Sequence, residues 1–242
     1  MINLFVDLLL AINKILFNNL GLTIIFIGIV SRAVFHPFLK SSLSYTQKMR
    51  DLKPKLDEIK KKHGHNKAKH MEEQTKLYRE AGLNPATGCL APLVQIAIAF
   101  LLFTSLQHIL KAGVETHFLY FDLARFDTWT VQGVPFKLPG LLVALTAVAT
   151  LLQAKMTLPE PVKTHKEDSK EEKAEKKDFA EALQASQGQL VYLFPAFLLL
   201  WANVLPAGIF LYWLVSTVFG IFQQYYIAGW GGLKSWIVWN KK

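Results

Sequence analysis

The sequence predicts an all-α, polytopic membrane protein: five transmembrane helices, a cytoplasmic helical hairpin and an N-terminal interfacial amphipathic helix. Three observations predict it. Apolar residues make up 52% of the 242, and they arrive in blocks instead of being scattered as in a soluble core. Several blocks approach the roughly 20 residues that a helix rising about 1.5 Å per residue needs to cross about 30 Å of hydrocarbon. The net charge of +9 falls between the blocks and not along one soluble face, which suits membrane flanks better than nucleic acid.

Residues 1–19 place Phe5, Leu8, Leu9, Ile12, Ile15 and Leu16 at helical spacing, with Asn3, Asp7, Lys14 and Asn18 between them, the pattern of an interfacial amphipathic helix. Asp7, the lack of a preceding basic residue and the lack of an Ala-x-Ala site argue against a cleavable signal. The first span covers residues 20–39. Its uncharged part, Leu20 to Val30, is only 11 residues, or roughly 17 Å, too short to cross alone. Arg32 is therefore expected inside the spanning helix.

Residues 40–87 are polar and charged. Met49, Leu52, Leu56 and Ile59 mark one amphipathic helix, and Met71, Leu77, Tyr78 and Ala81 a second. A turn at His63-Gly64-His65-Asn66 would fold them into an antiparallel hairpin, with Pro54 starting or kinking the first. The second span, 88–110, is interrupted by Gln95, Gln107 and His108. A mixed external loop, 111–140, leads to the third span, 141–158. Residues 159–188 form a Lys/Glu-rich cytoplasmic loop too polar for lipid. Spans four, 189–204, and five, 207–228, form a tight hairpin about Pro206, and the tail 229–242 carries Trp230, Trp236 and Trp239 with three lysines, an interfacial composition.

Charge sets the orientation. Residues 40–82 hold 12 Lys/Arg, residues 155–187 hold 7 and the tail holds 3, against Lys111, Arg125 and Lys137 in the loop 111–140. The positive side is cytoplasmic, which places the N-terminus outside and the C-terminus inside. Strict alternation over five spans gives the same answer.

Arg32 is the sharpest chemical feature, since a guanidinium near mid-membrane costs about 2.5 to 3.5 kcal/mol on insertion scales. One reading is that it snorkels to the cytoplasmic headgroups, roughly 10 Å away. The other spans, however, offer only uncharged polar residues: Gln95, Thr146, Thr150, Gln153, Ser216, Thr217, Gln223 and Gln224. With no deep carboxylate to pair it, Arg32 points to a water-filled cavity. Any single Thr or Ser among them can equally serve only to tie helices together.

Cys89, the only cysteine, excludes an intrachain disulfide and a thiolate cluster. His63, His65 and His70 lie among lysines with no acidic or thiolate partner at ligand spacing, so no metal is implied. Ser31 has no base at matching depth beyond the interfacial His36, and no Gly-x-x-x-x-Gly-Lys-Ser/Thr loop occurs. No cofactor, no catalytic residue and no enzymatic activity are expected.

These features together resemble the YidC/Oxa family of membrane protein insertases, in a minimal five-span bacterial form, over residues 5–228. The first span, Gly21 through Arg32 to Pro37, is similar to that family's arginine-bearing helix. Leu77-Tyr78, Asn84-Pro85, Gly88-Cys89-Leu90 and Gln95 resemble its second signature, although the prolines usual at that span's start are replaced by Ala91 and Ala97, with Pro92 one position later. Pro206-Ala-Gly208, Leu211-Tyr212-Trp213 and Gln223-Gln224 resemble its last hairpin.

The resemblance implies a hydrophilic groove open to cytoplasm and lipid. Arg32 would receive the polar segment of a substrate, Gln95 would line the groove, and Tyr212 and Trp213, with Ser216 among the polar residues of the same helix, would guide the substrate helix. It further implies nascent membrane proteins and lipids as partners in the bacterial inner membrane, the ribosome and a Sec-type translocon as candidate partners, and no specific nucleic acid. A small-molecule transporter and a non-inserting assembly factor are the alternatives, although the broken helices and internal repeat of transporters are missing from the sequence.

Overall fold

The computed structural model describes residues 2–83, 86–111, 114–130, 133, 137–157, 192–234 and 236. The predicted charged loop 159–188, Asn84-Pro85 of the second signature and most of the tail lie outside the described residues, as do the side chains of residues 86–93.

The fold is predominantly helical. Helix α1, Ile2–Ile15, is followed by Phe17 and Asn18 in the left-handed region, φ 59° and 55°. That elbow turns the chain by 115° into α2, Leu20–Val34. Asn19 caps α2 by accepting the Leu22 N–H at 3.0 Å, using one of the donors that a helix start leaves without an intrahelical partner. Inside the elbow the buried Thr23 hydroxyl lies 3.0 Å from both Asn13 Oδ1 and the Asn19 carbonyl, which also accepts the Thr23 N–H at 3.1 Å.

Phe35 interrupts the helix, and α3, His36–His63, restarts with Pro37 in its first turn, where a missing N–H costs nothing. Pro54 lies inside α3 and does not end it. A turn through Gly64 leads to α4, Lys67–Glu80, capped by Asn66. Helices α5, Ala86–Lys111, α6, Leu141–Thr157, α7, Tyr192–Asn203, and α8, Ala207–Ala228, complete the set.

Among the described residues α8 alone is long and apolar enough to cross a bilayer unaided; α1 and α2 pass that test only as a bent pair, and α5, α6 and α7 offer shorter apolar stretches. Helix α8 is central and packs most closely on α6 and α2. The buried face of α2 reads Leu20, Gly21, Ile24, Ile27 and Gly28, and helical repetition carries the same face on to Ser31 and Arg32.

The loop between α5 and α6, which the sequence pattern marks only as a mixed loop, holds two antiparallel ribbons: β1, His117–Phe118, with β2, Phe121–Asp122, and β3, Thr128–Trp129, with β4, Leu138–Pro139. Two-residue strands are too short to show an alternating pattern. This loop closes one end of the bundle. Leu123 is fully buried, its carbonyl accepts the Gly208 N–H at 2.9 Å, and the Arg125 carbonyl accepts the Ala207 N–H at 2.7 Å. Pro206 offers α8 no side-chain cap, so the loop backbone supplies the acceptors its first turn needs.

Burial is graded along α8. Near the loop, Ile209, Phe210 and Leu211 join Leu20, Ile24, Leu102, Leu106 and Leu142 in an apolar cluster. Farther along, the buried positions become Ser216, Thr217, Gln223 and Gln224.

Candidate functional site

The site begins on α2, whose inward face ends in Ser31 and Arg32. Ser31 Oγ donates back to the Gly28 carbonyl at 3.0 Å, leaving its oxygen free as an acceptor. Gly28 permits this close approach: a Cβ there would sit 3.0 Å from Val215 Cγ1 and 3.6 Å from Ser216 Oγ of α8. The side chains of Val215 and Ser216 on α8 thus pack directly against the bare backbone of α2 just ahead of Arg32.

Arg32 projects over Gly220. A Cβ at Gly220 would lie 3.0 Å from Arg32 Nη1 and 3.1 Å from its Cζ, and would collide with the amide nitrogen of Gln153 from α6. Three helices therefore converge on one residue without a side chain. Across the same space the Tyr212 hydroxyl, fully buried, is flanked by Ser31, Ser216 and Arg32, none of which meets it with full hydrogen-bond geometry.

Among the described residues no carboxylate pairs with Arg32; the Arg125–Asp122 ion pair belongs to the loop. Arg32 Nε, Tyr212 Oη, Ser216 Oγ, Gln223 Oε1, both amide atoms of Gln224 and, on α5, Gln95 Nε2 are all buried without a protein partner. Leaving such a group unmet costs about 1 to 3 kcal/mol. So many in one bundle is a standing demand for water or for a polar guest.

Of the five residues predicted for the site, the structure gathers Arg32, Tyr212 and Ser216. Gln95 contributes an unpaired amide nitrogen from α5 and makes no hydrogen bond to Arg32. Trp213 turns toward α7, its ring 5.7 Å from that of Phe194, because consecutive helical residues point about 100° apart. Gly220, Gln153 and Gln223 were not assigned to the site from sequence. The two glutamines stood out only as polar residues in apolar spans, and a glycine in an apolar run carries no chemical signal. Among the described residues no group of three or more His, Cys, Asp or Glu side chains converges as a metal site.

The outward faces are apolar: Phe26, Ile29 and Val30 of α2, Leu145 and Val148 of α6, Leu199 and Leu200 of α7, and Val218 and Phe222 of α8 are exposed. Helices greasy outside and polar within define a membrane protein with an internal polar site. The chain belongs to the family described as 60Kd inner membrane protein, which it matches over residues 11–231. The family resemblance drawn from its three motifs therefore stands. Among its relatives, the membrane protein insertase YidC of Pelodictyon phaeoclathratiforme is 30% identical over 214 residues, 87% of this chain and 33% of that protein. The protein of the same name from Prosthecochloris aestuarii is 32% identical over 220 residues, 89% of this chain and 34% of that one. That from Syntrophobacter fumaroxidans is 29% identical over 218 residues. The chain spans about a third of the length of these relatives.

Proposed function

We propose that this chain inserts membrane proteins, passing the polar segment of a substrate through a hydrophilic groove and releasing its hydrophobic helix into lipid. The observation that carries the reading is the set of buried, unpartnered polar atoms around Arg32, Tyr212 and Ser216. A groove lined this way shortens the low-dielectric barrier, so a polar tail is moved without crossing the full hydrocarbon. Arg32, with no carboxylate of its own, attracts acidic groups or backbone carbonyls of the tail. The substrate helix supplies the driving energy, roughly 25 cal/mol per Å² moved into lipid. Neither nucleotide nor covalent chemistry is required.

In this reading the five spans are α2 with the first turn of α3, then α5, α6, α7 and α8. Helix α1 lies along the interface, which its 115° elbow suits. The α3–α4 hairpin and the loop 159–188 are cytoplasmic, as their lysines favour, and the N-terminus is outside with the C-terminus inside. The apolar cluster under the 114–139 loop would then seal the external end while the polar end opens to the cytoplasm. Nascent membrane proteins and lipids are the partners, and the basic hairpin suits contact with a ribosome or a Sec-type translocon.

Photo-crosslinkers at Gln95 and Tyr212 in reconstituted vesicles test this. Adducts with nascent single-span substrates are expected at both positions. Absence of adducts together with substrate-dependent solute flux would replace the insertase with a transporter, and absence of both would leave an assembly factor.

A further inference from the structure

We propose that Gly220 and Gln223 of α8 are positioning residues that fix where the Arg32 guanidinium stands. The proposal rests on the insertase reading for its consequence and on geometry alone for its substance.

Gly220 acts under the side chain. A Cβ at this position would meet Arg32 Nη1 at 3.0 Å and Cζ at 3.1 Å, and would overlap the Gln153 amide nitrogen. Had Gly220 only let two helices pack closely, its Cβ would meet aliphatic carbons, as it would at Gly28, where Val215 is nearest. What it meets instead are the polar ends of two long side chains from two different helices. The bare backbone of α8 is the floor on which guanidinium and amide lie side by side.

Gln223, one turn farther along the same face of α8, acts on the backbone. Its Nε2 donates to the Arg32 carbonyl at 3.3 Å and lies 2.9 Å from His36 Nδ1. The reversed amide would press Oε1 against that carbonyl, acceptor on acceptor, so the nitrogen must face Arg32. His36 then accepts at Nδ1 and carries its proton on Nε2. This bridge crosses the break at Phe35, where α2 ends and Pro37 offers no N–H to continue the ladder. It thereby ties the last turn of α2, which carries Arg32, to α8. Arg32 is thus held twice by one face of α8, at its guanidinium and at its carbonyl, with the rest of its charge left to face the site.

The test uses the full chain in vesicles with two readouts. One is insertion of a single-span substrate with an acidic tail. The other is the rate at which an arginine-specific dicarbonyl reagent modifies Arg32, followed by peptide mass spectrometry, which needs no insertion activity. Gly220→Ala and Gln223→Leu are each expected to slow insertion about tenfold, the scale of a catalytic group displaced by a fraction of an ångström. Both should also shift the modification rate several-fold. Gln153→Ala removes only the overlap with the amide and leaves the contact with Arg32, so the Gly220→Ala/Gln153→Ala pair should still insert more slowly than Gln153→Ala alone. An unchanged modification rate in both Gly220→Ala and Gln223→Leu overturns the proposal, whether insertion falls or not. Should Gly220→Ala fail to accumulate, Gln223→Leu decides alone. If the unmodified protein inserts nothing, the insertase reading fails, while Arg32 modification still judges the seat.

Discussion

Asp127 caps α6 from sixteen residues away: its Oδ2 accepts the Val143 N–H at 3.0 Å, and its own carbonyl accepts the Gly140 N–H at 2.7 Å. One residue of the loop thus satisfies two donors ahead of and within the first turn of a helix whose start is otherwise apolar. Gly140 is required beside it, since a Cβ there would overlap the Asp127 carboxylate. Loss of such a cap costs about 0.5 to 2 kcal/mol, and Asp127 is nearly buried. Asp127→Ala is therefore expected to lower the thermal midpoint of the detergent-solubilised protein by several degrees, and Gly140→Ala to do the same. Unchanged midpoints in both variants would remove the cap from any account of stability.

Asp122 gives the same loop a pH dependence. Burial alone would raise its pKa, but the Thr116 hydroxyl at 2.7 Å, the Ala124 N–H at 3.1 Å, Arg125 at 2.9 Å and His117 outweigh it, and the carboxyl is held below its ordinary value. A depressed folded-state pKa means stabilisation fully present above the unfolded carboxyl pKa of about 4 and lost as pH falls through the lowered value. Hydrogen exchange at the β1–β2 ribbon should thus be flat in protection from neutral pH to about 4 and weaken only in stronger acid. In Asp122→Asn the acid limb should vanish. Arg125 is largely exposed, so Arg125→Ala should matter less than Thr116→Val.

How far these features can be read from sequence depends on the range of the interaction. Arg32 announces itself because a charge interrupts an apolar run, and helical periodicity then assigns it the face of Ile24 and Gly28. Family membership is likewise legible, since it is carried by short contiguous motifs. Asp127 is not, because cap signals are sought immediately before a helix and this one comes from another element. Gly220 is invisible for a different reason: its role lies in what it lacks, and only the positions of Arg32 and Gln153 on two other helices show that a methyl group would intrude. Trp213 adds a directional case: adjacent to Tyr212 in one motif, its ring is turned by helical geometry toward Phe194 on α7.

One buried side-chain contact crosses the α1–α2 elbow, Thr23 Oγ1 to Asn13 Oδ1 at 3.0 Å. Thr23→Val strands the buried Asn13 amide oxygen, whereas Asn13→Ala leaves the Thr23 hydroxyl only its bond to the Asn19 carbonyl. Asn13→Ala and Thr23→Val should each destabilise by about 1 to 2 kcal/mol, while the double variant should cost less than the sum, with a coupling of about 1 kcal/mol. A thermal-unfolding double-mutant cycle checks this. Strict additivity would mean that the left-handed pair Phe17–Asn18 holds the elbow unaided.

Arg32 itself separates three accounts of the proposed groove. If the cation attracts acidic tails, its value is an ion–ion term in a wet cavity. At an effective dielectric constant near 20, unit charges 4 Å apart attract by about 4 kcal/mol, and exposure to water reduces this toward about 1 kcal/mol. Arg32→Ala should then slow insertion of a substrate with an acidic tail about fivefold to tenfold and leave one with an uncharged tail nearly unaffected. Arg32→Lys should retain most of the rate, because the tail is met as a charge and not through a bidentate fork. Raising ionic strength should narrow the gap between the two substrates. If Arg32→Ala instead slows both tails equally, the guanidinium serves to hydrate the groove. If neither slows, the amides and hydroxyls of Gln95, Tyr212, Ser216 and Gln224 are polar enough without it. Parallel insertion assays with paired tails, run at low and high salt, distinguish the three.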